Sequence, residues 1–337
     1  MFSRIKTTLA GWRGWLLLIL VAAVLSRLLL TAYIIPSESM ERTLLVGDYV
    51  YISKLATTGP KLQRNDVVVF YAPYEALRAA GQRTLLVKRC AAVAGDTLAI
   101  RQGQVLVNGQ PALNENQLQT TYFLEVTAPS DEVQAALWAL GVVDNTEPGG
   151  LPAATTNPET GRLGYRISCP AATAAYLRRQ PYVRALTGAG DRVLAGTLFP
   201  DQVDFRVSKV RNAVPQRWQL DDYGPLVVPK KGQTVVLTPA NAAIYYKIVA
   251  HFEHNAGISW QQGLIYRYGR PLAQYTIKQN YYFVLGDNRH NSEDSRLWGF
   301  VPEDYLVGRA AWVWLSLDPY ADGLHKIRWC RIGRFVK

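Results

Sequence analysis

The order of apolar and polar positions divides the chain into one long apolar run and a series of short alternating segments. From residue 14 to residue 35 the chain is apolar apart from Ser26, Arg27 and Thr31, about the length that a helix needs to cross roughly 30 Å of hydrocarbon. Basic residues precede the run and no acidic residue occurs before Glu38. The pattern predicts a cytoplasmic segment over residues 1–13 and a transmembrane helix over residues 14–33. A cleaved secretory signal is the competing interpretation, but the apolar run continues past any small-residue site.

Beyond Met40 the pattern alternates with a period of two, which is typical of strands that are buried on one face. The dipeptide Asn108-Gly109 is a strong hairpin signal, because both central positions of that turn favour positive φ. These features indicate a mainly β protein with an antiparallel β domain built from residues 34–105 and 275–337. The predicted strands are 49–52, 66–71, 84–88, 97–100, 104–107, 275–285 and 310–315.

Residues 106–274 follow a less regular pattern. A helix capped by Ser130 is predicted to end near Gly141, and a second helix is predicted over residues 171–179. A third is predicted to start at Thr238 and to run to about His254. We expect this region to be an inserted second domain of mixed α+β structure.

Composition and charge narrow the choice of partners. The chain has 337 residues, is 49% hydrophobic and carries a formal charge of +11, so it can bury a sizeable core and suits an anionic partner. We find no zinc-type cluster, phosphate-binding loop or nucleic-acid motif, which favours a membrane surface over nucleic acid. We therefore predict no metal, no cofactor and no nucleic-acid partner. Cys90, Cys169 and Cys330 permit one disulfide, and the sequence does not say which.

Three separated segments carry candidate chemistry. The first is PSESM at residues 36–40, where proline stiffens the turn and a serine hydroxyl can point outward. The second places Lys88 after an apolar strand, and only burial would lower its pKa enough to make it a base for a serine hydroxyl. The third is GDNRHNSEDSR at residues 286–296, a crowded run of charges and hydroxyls. Taken singly, each segment is more typical of a solvated turn, a solvated strand end or a surface loop.

Together these segments resemble the type I signal peptidases, the membrane-anchored Ser-Lys proteases that remove signal peptides from exported proteins. Residues 36–40 match the nucleophile segment of that family, and GDYVYISK at residues 47–54 is similar to the segment that follows it. Residues 64–70 and 88–96 resemble the segment that carries the base, and residues 286–302 match the last segment closely. The resemblance covers the anchor and residues 35–54, 64–96 and 282–310.

The resemblance implies a role for each matching residue. Ser39 would be the nucleophile, Lys88 the general base, Ser37 an oxyanion-hole donor and Ser292 the group that orients the amine. The residues that would hold the loop in place are Asp287, Arg289, Asp294 and Arg296. The sequence departs from the family pattern at Asn65, Cys90, Ala94 and Glu41-Arg42, none of which removes a reacting group.

The resemblance also implies a substrate and a location. Secretory preproteins would dock as an added β-strand on the strands at residues 66–70 and 84–87, with small side chains selected at the first and third positions before the cut. The protein would be a single-pass protein of the cytoplasmic membrane that contacts phospholipids, with its catalytic domain on the periplasmic side. Trp298, Trp312 and Trp314 would either rest in the membrane interface or belong to the core.

Other classes of protein are open to the same sequence. A Ser-His-Asp hydrolase would use His290 near Asp287 and Asp294, but the chain has no Gly-x-Ser-x-Gly elbow. A penicillin-binding protein is excluded, because the Ser-x-x-Lys motif, Ser3 to Lys6, precedes the membrane segment. A non-enzymatic, membrane-anchored, β-rich binding protein is the main alternative, and it would tolerate substitution of the serine and the lysine.

Overall fold

A computed structural model describes residues 30–54, 62–112, 118–142, 152–189, 197–203 and 210–337. The strands of the described residues are numbered β1 to β22 in chain order. The first seven are β1 (Leu30–Ile34), β2 (Asp48–Ser53), β3 (Val67–Tyr71), β4 (Leu85–Ala92), β5 (Thr97–Arg101), β6 (Gln104–Val107) and β7 (Gln110–Pro111). The next six are β8 (Thr120–Val126), β9 (Ala154–Thr156), β10 (Leu163–Cys169), β11 (Val183–Gly188), β12 (Gln202–Val203) and β13 (Val210–Arg211).

The remaining strands and the helices follow. The strands are β14 (Tyr223–Val227), β15 (Thr234–Val236), β16 (Ile258–Gln261), β17 (Leu264–Arg267), β18 (Arg270–Pro271), β19 (Gln274–Thr276), β20 (Tyr281–Leu285), β21 (Val301–Pro302) and β22 (Leu306–Ser316). The α-helices are α1 (Asp131–Ala139), α2 (Ala171–Leu177), α3 (Ala242–Lys247) and α4 (Ser295–Trp298). The described chain is therefore mainly β with antiparallel sheets, as predicted.

A seven-stranded sheet in the order β1-β2-β22-β3-β4-β20-β21 carries the candidate site. Its strands β2, β22, β3 and β4 all contribute to one apolar cluster that includes Val50, Val313, Val69 and Val87. This part of the sheet is curled, because β1 contacts β4 although the two strands are four positions apart in the sheet order. The curl brings the edge strand β1 towards β4, and Tyr33 on β1 donates a hydrogen bond to the backbone of β4.

The predicted transmembrane helix falls mostly outside the described residues, as does the predicted cytoplasmic segment 1–13. Residues 30–33 are described, and the helix prediction was wrong for them because they belong to β1. That strand pairs with β2 from Leu30 opposite Ser53 to Ile34 opposite Tyr49. Among the residues that the structure describes, no helix is long and apolar enough to cross a membrane.

Two of the three predicted helices are confirmed. Helix α1 is capped by the Ser130 hydroxyl, which accepts a hydrogen bond from the Val133 amide at 3.3 Å, and helix α2 lies within residues 171–179. The third prediction was wrong at its start, because residues 238–241 form a turn in which the Asn241 side chain accepts from the Thr238 amide. Helix α3 begins at Ala242 and continues into a π-helical turn over Ile248–Phe252.

The domain boundaries expected from the sequence stay a prediction, and the strands near them pack as follows. The boundary between residues 105 and 106 falls inside β6, and the Asn108-Gly109 hairpin that follows has the predicted positive φ at both positions. Residues 124–186 have an apolar cluster of their own around the sheet β11-β8-β10-β9. The rest of the predicted insertion shares the largest cluster with the flanking strands, because β14 pairs with β5 and β15 pairs with β19.

Candidate functional site: a buried serine and lysine

Ser39 lies on a tight turn directly after the edge strand. The chain leaves β1 at Ile34 and forms a 3-10 turn over Glu38–Met40, closed by a hydrogen bond from the Glu41 amide to the Glu38 carbonyl at 2.9 Å. Met40 is buried and anchors the turn in the apolar cluster inside the curled sheet. The Ser39 carbonyl accepts a hydrogen bond from the Asn288 amide at 3.1 Å, which ties the turn to the loop at residues 286–296.

Lys88 projects towards this turn from the middle of β4. It lies opposite Val68 on β3, and its side chain is only 4% exposed. Its Nζ and the Ser39 Oγ are 2.5 Å apart in a hydrogen bond. The structure thus brings together the two residues that the sequence assigned to the reacting pair.

Burial lowers the pKa of the Lys88 ammonium from 10.5 to about 8. The negative charges of Asp294, Glu293 and Asp287 oppose this shift without cancelling it. Desolvation disfavours the charged form of an amine, so a neutral amine is accessible near physiological pH. A neutral amine in hydrogen-bond contact with a hydroxyl has the chemistry of a base next to a nucleophile.

Ser37 is the second hydroxyl near the pair. Its Oγ lies 3.4 Å from the Ser39 Oγ, and its backbone is extended. Ser37 is exposed, whereas Ser39 is buried. The structure therefore brings Ser37 close to the Ser39 oxygen, and its oxyanion role stays a prediction.

Ser292 is placed beside the site but does not contact the amine through a hydrogen bond. Its Oγ is buried and has no hydrogen-bond partner within the described residues. It packs against Gly286, where an added Cβ would overlap both the Ser292 side chain and the Ser39 carbonyl oxygen. The orienting hydrogen bond from Ser292 to Lys88 is thus absent from this structure, and the role stays a prediction.

The loop at residues 286–296 is held by two buried ion pairs. The Asp287 carboxylate accepts from the Arg89 guanidinium at 2.7 Å on each oxygen and from the Thr43 hydroxyl at 2.5 Å. Asp294 pairs with Arg296 at 2.7 Å and also accepts from the Gly286 amide at 3.2 Å. All four ionised side chains of these pairs are at most 2% exposed, so each charge depends on its partner for solvation.

The electrostatics of the loop follow from this burial. Burial alone would raise the pKa of Asp294, but the adjacent Arg296 charge and its hydrogen bonds hold that pKa below its usual value. Burial, together with the Arg296 charge, lowers the pKa of Arg289 to about 10. The Arg289 side chain donates through Nη1 to the Gly103 carbonyl at 3.2 Å, and its backbone amide donates to the Gln119 carbonyl at 2.8 Å. The Arg296 guanidinium in turn donates to the Arg289 carbonyl at 2.6 Å.

His290 does not belong to a catalytic triad in this structure. Its Nδ1 accepts a hydrogen bond from the Thr121 amide at 3.1 Å, so its Nε2 carries the proton and donates to Asp221 at 2.9 Å. Both ring nitrogens are therefore occupied, and neither contacts a serine. This geometry removes the support for a Ser-His-Asp hydrolase built on Asp287 or Asp294.

Sequence reasoning missed several residues that position the site. Arg89 was not singled out as the partner of Asp287, although it directly follows the candidate base. The Arg331 guanidinium pairs with Asp48 at 2.5 Å and donates to the Thr43 carbonyl at 3.0 Å, which stabilises the chain that follows the Ser39 turn. Asp48 lies in a segment that resembles the family, but no sequence signal marks Arg331.

A neighbouring carboxylate also responds to burial. Burial and the Glu38 charge raise the pKa of Glu41 to about 7. The Glu38 carboxylate accepts a hydrogen bond from the Asn291 side chain at 3.1 Å, and burial raises its pKa. The turn that carries Ser39 and the residue that follows Met40 therefore hold two acids that are protonated more readily than exposed ones.

The three cysteines of the chain all lie within the described residues. Cys90, Cys169 and Cys330 are all free thiols, and the first two are buried. In the described part of the chain, no group of three or more histidine, cysteine or acidic side chains is placed to hold a metal ion. The expectation that the protein needs no metal or cofactor stays a prediction.

The fold and the site together define a β-rich protein with a buried serine–lysine pair, the pair that a serine hydrolase with an amine base requires. A family model described as signal peptidase, peptidase S26, matches residues 9–144 and 250–315, which is more than half of the chain. The chain belongs to this family.

Individual relatives agree with the family match. The chain is 25% identical to signal peptidase I of Aquifex aeolicus over 305 residues, which cover 89% of this chain and 81% of the relative. It is 46% identical over 54 residues to signal peptidase I of Haemophilus influenzae and 50% identical over 50 residues to that of Buchnera aphidicola subsp. Schizaphis graminum. The last two matches each span only 16% of the length of the relative.

Proposed function

We propose that this protein is a serine endopeptidase that cleaves N-terminal signal peptides from exported preproteins at the outer face of the cytoplasmic membrane. Ser39 is the nucleophile, Lys88 is the general base, and small residues are preferred at the first and third positions before the cut. The observation that carries the proposal is the hydrogen bond between the buried Lys88 amine and the Ser39 hydroxyl. Membership of the signal peptidase family and the relatives named signal peptidase I support the substrate class.

The proposed reaction begins with proton transfer within this pair. The neutral Lys88 amine accepts the Ser39 proton while the Ser39 oxygen attacks the scissile carbonyl carbon. The resulting ammonium then protonates the departing amine of the mature protein, and an acyl-enzyme remains on Ser39. The amine is neutral again, so it can take a proton from the water that hydrolyses the ester.

The developing oxyanion needs donors that are in place before the reaction. The Ser37 hydroxyl lies near the reacting oxygen at 3.4 Å, and the Ser39 backbone N–H is the second candidate donor. Preorganised donors stabilise a transition state because they need no reorientation when charge develops. Ser37→Ala should therefore lower kcat with little change in KM.

The curled sheet leaves an open gap in which an extended substrate can pair. The backbone N–H and C=O of Cys90 both face β3, because they form hydrogen bonds with residues 66 and 65. Backbone groups alternate in direction along a strand, so those of Val87 and Leu85 point away from β3. On that side β20 pairs with β4 only from Arg89 onwards. By the same alternation, the backbone groups of Ile34 on β1 point away from β2 and into the gap. We call the space between β1 and Leu85–Val87 the strand gap.

Apolar side chains line the strand gap. Ile35 and Val87 are buried in the cluster inside the curled sheet, and Tyr33 and Leu85 pack against it. A shallow apolar surface accepts small aliphatic side chains from alternate positions of an added strand, because such side chains point to the same face. This arrangement supports a preference for small residues at the first and third positions before the cut.

The proposed membrane location draws on an aromatic face outside the cluster. Tyr49 and Tyr51 on β2 pack against Trp314 on β22, and Trp314 is 37% exposed. Amphipathic aromatic rings favour the level of lipid head groups. Trp298, in contrast, is 1% exposed and belongs to the core. The anchor, its orientation and the phospholipid contacts rest on the sequence pattern.

Cleavage of a preprotein with an Ala-x-Ala site by the detergent-solubilised full chain tests the proposal. We expect the wild type to cleave at that site, and Ser39→Ala and Lys88→Ala to be inactive with unchanged circular dichroism. Cleavage that survives in either folded variant would contradict the assignment of the pair. If the wild type cleaves none of several preproteins, the non-enzymatic binding protein becomes the better interpretation.

A further inference from the structure

One side chain closes part of the strand gap. The Tyr33 hydroxyl donates a hydrogen bond of 2.9 Å to the carbonyl oxygen of Leu85, across the space between β1 and β4. Leu85 is the residue at which β4 begins, three positions before Lys88. The Tyr33 contact therefore lies about 10 Å along β4 from Lys88, because three strand positions separate Leu85 from Lys88.

The hydrogen bond from Tyr33 occupies the Leu85 carbonyl, a group that an added strand would use. The Leu85 carbonyl points away from β3, as the alternation along β4 requires, and no strand of the described residues pairs with it there. The carbonyl of Val87 has the same direction and lies two positions closer to the site. In an added strand, the N–H groups of two residues spaced by two would pair with these two carbonyls.

Tyr33 is held in this position by its surroundings. It lies opposite Val50 on β2 and packs against the apolar cluster inside the curled sheet. Burial raises the pKa of its hydroxyl, so the group remains a proton donor at neutral pH. The ring is fixed on one side, while the hydroxyl makes the contact across the gap.

We propose that Tyr33 is a specificity-determining residue that caps the Leu85 carbonyl and so limits the substrate strand to pairing with Val87 on this side of the gap. The inference rests on the proposed peptidase function. The enzyme then recognises only the residues next to the cut through backbone bonds on β4, and residues farther upstream contribute little. Such a short footprint suits substrates that share small residues near the cut but differ elsewhere.

The test is an ester scan along a peptide substrate. A series of synthetic peptides contains the Ala-x-Ala site, and in each peptide one backbone amide before the cut is replaced by an ester, which removes one N–H donor. The variant Tyr33→Phe removes only the hydroxyl of the cap. The matched control is Tyr268→Phe, because Tyr268 is 69% exposed and lies in the turn between β17 and β18, outside the strand gap.

We expect one sensitive ester position in the wild type and in Tyr268→Phe, the one that pairs with Val87. Tyr33→Phe should gain a second sensitive position two residues farther from the cut, where the ester raises KM about fivefold with little change in kcat, as expected for one backbone hydrogen bond. The all-amide peptide should also bind Tyr33→Phe more tightly than the wild type.

Two results would overturn the role of Tyr33. If the wild type already shows the second sensitive position, the Leu85 carbonyl is not capped, and this result needs no variant. If Tyr33→Phe folds and shows no second position, the freed carbonyl does not pair with substrate. In both cases the wild type still cleaves the all-amide peptide, whereas failure of the proposed function would appear as no cleavage of any peptide.

Discussion

Replacing Lys88 by methionine should abolish cleavage and at the same time stabilise the protein. Methionine has nearly the shape of the lysine stem and carries no charge, so it suits a site that is 4% exposed. In the wild type, the folded protein must hold an amine whose pKa is lowered from 10.5 to about 8. Protons therefore bind the unfolded chain more tightly than the folded one.

The magnitude follows from this difference in pKa. A shift of this size costs about 3 kcal/mol of folding free energy wherever the amine is protonated in both states, that is, below pH 8. The cost decreases as the pH rises from 8 to 10.5 and is absent above that range. Loss of the hydrogen bond to Ser39 offsets about 1 kcal/mol. Lys88→Met should then be more stable than the wild type by about 2 kcal/mol at pH 7.

Urea unfolding of both proteins from pH 6 to pH 11 measures this effect. The difference between the two free energies of unfolding isolates Lys88 from other groups that titrate at high pH. Lys231→Met is the matched control, because Lys231 is exposed and its replacement should leave stability nearly unchanged. A Lys88→Met protein that is less stable at pH 7, or a difference that does not change with pH, would refute the reasoning.

Three further predictions follow from the same site. The kcat/KM of the wild type should rise about tenfold per pH unit up to about pH 8 and then level off, because only the neutral Lys88 amine accepts a proton. A flat pH profile of kcat/KM from pH 6 to 9.5, measured with a fluorogenic peptide, would contradict the base assignment. Gly286→Ala should lower cleavage at least tenfold, because its Cβ would overlap the Ser39 carbonyl, whereas Gly81→Ala meets open space and should remain active in the same assay. Asp287→Asn should lower the free energy of unfolding by about 3 to 5 kcal/mol, since it leaves the buried Arg89 guanidinium without a counter-charge. A loss below about 1 kcal/mol in urea unfolding would show that the Arg89–Asp287 pair is not important for stability.

Local patterns in the sequence were enough for several strands. Alternating apolar positions identified residues 49–52 and 97–100, and Asn108-Gly109 identified a hairpin, because these signals depend only on neighbouring residues. The same reasoning failed at residues 30–33. An apolar run of that kind fits a helix or a buried strand equally well, and its pairing with residues 50–53 decides the matter.

The sequence by itself also selected Ser39 and Lys88, because each lies in a segment that resembles a known family. What it did not determine is the environment of these residues. They are 49 positions apart, and the burial that lowers the pKa of the amine is provided by strands from both ends of the chain. Desolvation and hydrogen bonding depend on everything that surrounds a group, and most of those neighbours are remote in sequence.

The supports of the site show the same division. The sequence selected Asp287 within one crowded loop, but its solvation is decided by a partner that the fold supplies. Arg89 reaches Asp287 from 198 positions away, and Arg331 reaches Asp48 from 283 positions away. The sequence therefore determined which chemical groups are present and which faces of the strands are apolar. Only the tertiary structure decided which charge on Asp287 and Asp48 is paired and which amine is desolvated, because both depend on contacts between residues far apart in the chain.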